Sequence, residues 1–240
     1  MKHFLLYIIF ISLFTCSSYE EITPGTTRPK QISTMDQTGK SIKTNLIYSV
    51  PNTYNPKEKF PLIVCLHGSG SNSAAFHDLF KPVTDELGYL LLTPQGSKMT
   101  DENFGWSWGE NAEQSILNSI DYVRQTVNID ISRIYILGFS SGGSLAWKIG
   151  LKYPHNFAGI VPLCSTIDSE KLSPTNYHQK FYLAHGELEE SLHEPYSQIN
   201  EMLKQSNVKS NYVVYDGVGH DLPELKGEEI RRIFEFLENK

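Results

Sequence analysis

Two rhythms of apolar residues alternate along this chain. Short, nearly continuous runs at residues 62–66, 89–93, 133–138, 157–163, 180–184 and 211–215 have the length and β-branched content of strands buried on both faces. Between them the apolar positions recur every three or four residues. Phe76, Leu79, Phe80, Val83 and Leu87 form one such stripe, and Ile116, Ile120, Val123 and Val127 a second. Leu192, Tyr196, Ile199 and Leu203 form a third, and Ile230, Ile233, Phe234 and Leu237 a fourth. Each predicts an amphipathic helix. Strands alternating with helices predict an α/β fold, a mostly parallel sheet flanked by helices on both sides. Residues 42–50 alternate with period two and predict antiparallel pairing at one edge of that sheet. In open sheets of this kind ligands bind beyond the carboxyl ends of the strands, so chemistry is sought in the loops that follow each run.

The first residues follow neither rhythm. Lys2 precedes an apolar run at 4–14, about the length of a secretory h-region and too short to span a bilayer. Residues 1–17 are therefore expected to be a signal peptide, cleaved near Ser18 or, since LFTC at 13–16 resembles a bacterial lipobox, processed to leave Cys16 lipidated. The second route is favoured because Cys16 directly follows the h-region. An exported protein is expected, either a membrane-anchored lipoprotein or a secreted or periplasmic one, touching a membrane only through a lipid anchor on Cys16. Residues 18–40, rich in Thr, Pro, Lys and Gln, read as a tether, which leaves 41–240 as the folded domain. With 40% hydrophobic residues in 240, one core of ordinary size is possible. A net charge of -6 supplies no broad basic face, so nucleic acid is not an expected partner. Cys65 and Cys164 lie inside apolar runs and read as core residues rather than a disulfide.

The run at 133–138 ends in Gly138-Phe139-Ser140-Ser141-Gly142, a G-x-S-x-G pattern followed by helix-forming residues Leu145, Ala146 and Ile149. Strand, sharp turn and helix are the context of a nucleophile elbow. Glycine is needed two residues before and two after the serine because neighbouring backbone passes close to the strained turn. Centring on Ser141 would put Phe139 at the first of those positions, so Ser140 is the candidate nucleophile and Ser141 offers its N–H at the helix start. A base is expected in the loop after 211–215, where DGVGHDLP places His220. An acid is expected after 180–184, where HGELEE offers Glu187, Glu189 and Glu190. Their order in the chain, serine, acid, histidine, is that of α/β-hydrolases. The glycine-rich LHGSGSNS after 62–66 can aim backbone N–H groups at a developing oxyanion; it lacks the lysine and spacing of a phosphate-binding loop.

These segments, together with GWSW at 105–108, resemble the α/β-hydrolase superfamily, and within it the compact phospholipase/carboxylesterase and feruloyl-esterase-like esterases. The resemblance runs from about residue 42 to the C-terminus. It implies a sheet of about eight strands without a large lid, and a serine hydrolase that cleaves carboxylic esters through an acyl-enzyme. The same fold and triad serve prolyl-oligopeptidase-type peptidases and thioesterases. The family's acid loop often reads H-G-x-x-D, which puts Glu189 in the aspartate's place, with Glu190 as a substitute and Asp168, in the loop after 157–163, as a further candidate. It also implies that the N–H of Ser69 joins that of Ser141 in an oxyanion hole. Trp106 and Trp108, in the roomy stretch 96–111, either pack that loop onto the domain or form a substrate-facing aromatic wall. No metal or organic cofactor is implied, and His67 and His185 read as loop-fixing residues. The expected partner is a small-molecule or polysaccharide-linked ester.

Overall fold

A computed structural model describes residues 22–35, 39–98, 104–106, 110–169, 172 and 178–239. The signal-peptide residues, Cys16 and Trp108 lie outside them. The strands are β1 (Thr27–Met35), β2 (Ser41–Ser49), β3 (Phe60–Leu66), β4 (Leu90–Pro94), the two-residue β5 (Ser97–Lys98) and β6 (Phe104–Gly105), β7 (Ile129–Phe139), β8 (Gly159–Leu163), β9 (Lys180–Gly186) and β10 (Ser210–Tyr215). The helices are α1 (Ser73–Leu87), α2 (Glu110–Thr126), α3 (Ser141–Lys152), α4 (Glu190–Gln205) and α5 (Lys226–Glu238).

Eight strands form one sheet in the order β1-β2-β4-β3-β7-β8-β9-β10. β1 and β2 pair antiparallel, as do β2 and β4; every later pairing is parallel. Alternation along the strands sends side chains to two cores. Leu62, Val64 and Leu66 of β3 face the helices α2, α3 and α4, whereas Ile63 and Cys65 face α1 and α5. The four predicted helical stripes are the buried faces of α1, α2, α4 and α5. Cys65 and Cys164 are both buried free thiols.

One expectation changes. Residues 27–35, read as part of a tether, form the edge strand β1, in full register with β2 from Thr27↔Ser49 to Met35↔Ser41. None of its residues is fully buried. Pro29 and Lys30 suit a strand with one unpaired side, so it lacks the apolar signature of the inner strands.

Register aligns the strand ends that matter. Leu66 lies beside Gly138, Phe139 beside Leu163, Leu163 beside Ala184, and Gly186 beside Tyr215. The loops after β3, β7, β8, β9 and β10 therefore gather along one edge. Their support includes Phe234 of α5, 1% exposed and stacked on Tyr89 at 4.7 Å between ring centroids. Phe234→Ala is expected to lower unfolding stability by about 3–5 kcal/mol, read from a urea titration followed by circular dichroism. A loss below about 1 kcal/mol would mean that this core does not carry the sheet as described.

Candidate active site

At the end of β7 the chain turns so sharply that Ser140 adopts φ 55°, ψ −123°, a conformation in which a residue with a side chain is strained. Two close approaches require the flanking glycines. A Cβ on Gly142 would come within 2.5 Å of the His67 carbonyl oxygen, and one on Gly138 within 2.6 Å of the Gly143 nitrogen. The turn is locked from both sides: the Ser140 N–H donates to Leu163 O at 2.9 Å, and the Ser144 N–H donates to Ser140 O at 3.0 Å. The Ser140 side chain is thus lifted to the head of α3.

His220 arrives from the loop after β10. Its Nε2 stands 2.9 Å from Ser140 Oγ and its Nδ1 2.6 Å from Glu189 Oε1. The ring also leans on Phe139, with centroids 5.0 Å apart. A carboxylate can only accept at Nδ1, so Nδ1 carries the proton and Nε2 presents its lone pair to the serine hydroxyl. Glu189 is held in turn, its Oε2 accepting the Gly186 N–H at 3.0 Å. Its side chain is 12% exposed, whereas that of His220 is 53% exposed. The imidazole therefore faces solvent while its carboxylate partner does not.

The other acids take different places. Glu187 Oε2 accepts the Gly217 N–H at 2.8 Å, which fastens the histidine loop to the acid loop. Glu190 is exposed on the first turn of α4. Asp168 belongs to the loop after β8, where its carbonyl accepts the Trp147 indole N–H at 3.0 Å.

On the opposite side of Ser140 lies the loop after β3. A Cβ on Gly68 would sit 3.3 Å from Ser140 Cβ, so this loop abuts the serine directly. The N–H groups of Gly70 and Ser71 donate to Phe104 O and Gly68 O. The N–H of Ser69 has no backbone acceptor among the described residues. Ser141 opens α3, where the first N–H groups have no intrahelical acceptor. Ser69 Oγ donates to Ser141 Oγ at 2.9 Å, tying the two segments together.

His67 fixes this loop from beneath. Its Nδ1 donates to Gly68 O at 2.9 Å and its Nε2 accepts the Gly96 N–H at 3.0 Å. Burial lowers its pKa, which keeps it neutral for both bonds. His185 is fixed similarly between Gly186 O and the Tyr212 hydroxyl, with its pKa lowered by burial.

Of the two readings for Trp106, the structure takes the packing one. Rather than forming a substrate-facing wall, it is buried; its indole N–H donates to His67 O at 2.7 Å and its ring packs on the His67 ring. An indole that enters a core needs a polar partner, and this carbonyl turns the ring inward. In the sequence Cys164 reads only as a core residue. It lines the cleft at Ser140, where it adopts φ 48° and its thiol donates to Asp221 O at 3.3 Å. Burial and the nearby Glu189 carboxylate raise its pKa, so it stays a thiol. A local pattern could not reveal this, because the contact depends on the histidine loop folding over β8.

A serine, a histidine and a carboxylate in hydrogen-bonded series, at the carboxyl edge of a mostly parallel eight-stranded sheet, define the α/β-hydrolase class. Within that class, residues 50–240 match the phospholipase/carboxylesterase family, and the chain belongs to it. Poly(3-hydroxyalkanoate) depolymerase C of Paucimonas lemoignei is 27% identical over 112 residues, which cover 43% of this chain and 27% of that protein. Feruloyl esterase B of Neurospora crassa is 27% identical over 121 residues, covering 44% of this chain and 40% of the relative. The chain thus spans well under half the length of these relatives. Among solved structures, S-formylglutathione hydrolase from Staphylococcus aureus superposes with a TM-score of 0.64 at 17% identity, covering 89% of this chain and all of the other. At that identity the likeness concerns the fold.

The packing around the elbow makes a prediction about stability. Gly142→Ala is expected to lower the melting temperature sharply or abolish soluble protein, because the backbone of Leu66 and His67 must move to admit the methyl group. Ser69→Ala removes only the contact to Ser141 Oγ and is expected to cost about 1 kcal/mol or less. Thermal unfolding of the two variants side by side checks the contrast; equal effects would contradict the close approach.

Proposed function

We propose that this protein is a serine hydrolase that cleaves carboxylic esters through an acyl-enzyme. The observation that carries the reading is the unbroken series from Ser140 Oγ to His220 Nε2 at 2.9 Å and from His220 Nδ1 to Glu189 Oε1 at 2.6 Å. In the proposed reaction His220 takes the Ser140 proton as the hydroxyl oxygen attacks the ester carbonyl. Glu189 keeps the imidazole in the required tautomer and stabilises its cationic form. The N–H groups of Ser69 and Ser141 receive the negative charge that develops on the carbonyl oxygen. His220 then returns its proton to the departing alcohol, which leaves the acyl group on Ser140. A water molecule, deprotonated by the same imidazole, releases the acid and restores the serine. The half-exposed ring of His220 gives that water direct access. Oxygen esters are favoured over amides and thioesters by the relatives, a feruloyl esterase and a polyester depolymerase among them; small-molecule or polysaccharide-linked esters are the substrates proposed. Residues 1–17 are proposed to direct export, with Cys16 lipidated.

Ser140→Ala is expected to reduce kcat on phenyl acetate by roughly 10⁴- to 10⁶-fold, and a fluorophosphonate should label the wild-type protein at Ser140 alone. Wild-type turnover in the alanine variant would exclude the mechanism. Glu189→Gln is expected to cost on the order of 10³- to 10⁴-fold, with Glu190→Gln and Asp168→Asn each within about fivefold of wild type. A matched anilide and thioester, assayed beside the oxygen ester, test the choice of leaving group. For export, the full chain expressed in a bacterium should incorporate labelled palmitate and sediment with membranes, and Cys16→Ser should do neither. Release of unlabelled wild-type protein into the periplasm or medium would indicate ordinary signal cleavage instead.

A further inference from the structure

Beside Ser140 opens a cleft of about 320 Å³, bounded by the head of α3, the loop after β8 and the first turn of α4. That is near the lower end of ligand pockets, which run from about 300 to 1,000 Å³, so it suits a short group. Its walls are rich in hydroxyl side chains. Beyond the catalytic series and Cys164, the described lining residues are Ser141, Ser144, Ser165, Thr166, Ser191 and Leu192. Five of these six side chains carry a hydroxyl.

The hydroxyls are not equivalent. Ser144 Oγ donates to Thr166 O at 2.7 Å, Ser165 Oγ pairs with the buried Tyr196 hydroxyl at 3.1 Å, and Ser141 Oγ accepts from Ser69 at 2.9 Å. These three serve the protein. The bond from Ser144 pins the backbone at Thr166, and both Thr166 and Ser191 are exposed, with no side-chain hydrogen bond to any described residue. A hydroxyl both donates and accepts, and its natural complement is another hydroxyl. An aliphatic or aromatic group here would meet Leu192 and the carbon atoms of the other side chains, but at the hydroxyls it would displace water without replacing its hydrogen bonds.

We propose that this cleft selects esters bearing a hydroxyl within a few bonds of the scissile carbonyl, recognised by Thr166 and Ser191. The inference rests on the ester-hydrolase reading and narrows its substrate class. Such a hydroxyl can sit on the acyl group, as in a short hydroxyacyl ester, or on the alcohol, as in an ester of glycerol or a sugar.

Two matched pairs distinguish these sources: ethyl 3-hydroxybutyrate against ethyl butyrate for the acyl side, and glycerol monoacetate against propyl acetate for the alcohol side. In at least one pair kcat/KM is expected to favour the hydroxylated ester by roughly tenfold, the value of one or two hydrogen bonds. Combining Thr166→Val with Ser191→Ala should bring that ratio to about two or below. Thr166→Ser, which keeps the hydroxyl, should preserve the preference, and Ser191→Ala alone should weaken it. The proposal is overturned if phenyl acetate is hydrolysed and neither pair shows a preference above about twofold. It is also overturned if the preference survives the double substitution. Failure to hydrolyse phenyl acetate, together with no fluorophosphonate label on Ser140, would overturn both this proposal and the ester-hydrolase reading.

Discussion

The backbone of Ser140 sits where few residues with a side chain can rest, and the arrangement around the site depends on keeping it there. A conformation of this kind costs of order 1–3 kcal/mol. The cost is offset locally by two main-chain hydrogen bonds, to Leu163 O and from the Ser144 N–H, and by the packing of α3. Leu145, Ala146, Trp147 and Ile149 of that helix are all buried at 3% exposure or less. Because the strain lies between a central strand and a buried helix, relaxing it would pull one or the other out of the core. The position of Ser140 is therefore a property of the sheet and its covering helix together.

A second close approach positions His220 and Glu189. A Cβ on Gly186, the last residue of β9, would come within 2.8 Å of the Val218 carbonyl carbon, so the acid loop and the histidine loop touch backbone to backbone. The contact is reinforced by the Leu188 N–H donating to Val218 O at 2.9 Å and by Glu187 accepting the Gly217 N–H at 2.8 Å. Since β9 and β10 are in parallel register with Gly186 beside Tyr215, the two loops leave the sheet side by side. His220 is half exposed, and among the described residues its side chain is held by the Phe139 ring and its two hydrogen bonds. The backbone contacts beneath it supply the precision that burial would otherwise give.

Much of this could be read from the sequence where one steric or periodic demand sets the residue type. The glycines around Ser140 are such a demand, and so are the inner strands, whose two buried faces call for unbroken apolar runs. Legibility fails where a residue's role depends on which neighbour it faces. Glu187, Glu189 and Glu190 stand within four positions of one another and share a chemistry. One holds the histidine loop, one the imidazole, and one begins a helix in solvent. The strand β1 is not legible as a strand because an edge strand buries little; its pattern alternates between half-buried and exposed residues, with Ile32 packed partly against the core. Trp106 could not be placed because an aromatic residue in a loop serves a wall or an anchor equally well until its indole finds an acceptor, here His67 O.

Glutamate where an aspartate would be shorter raises the question of how the added methylene is controlled, since each extra rotatable bond adds freedom that must be lost on ordering. The structure uses both carboxylate oxygens. Oε1 accepts from His220, while Oε2 returns to the Gly186 N–H, and the Glu189 N–H donates to Gly186 O at 3.1 Å. The side chain and its own backbone thus close on the same residue at the end of β9, which folds the longer arm back against the sheet. Rotation about the extra bond would break a charge-assisted hydrogen bond at a site only 12% exposed, where little water is available to replace it. A longer acid is therefore held as firmly as a shorter one by spending its second oxygen on the loop that carries it. The same geometry explains why the neighbouring Glu190 is poorly suited to take its place: starting from the first turn of α4, it has no comparable anchor at the strand end among the described residues.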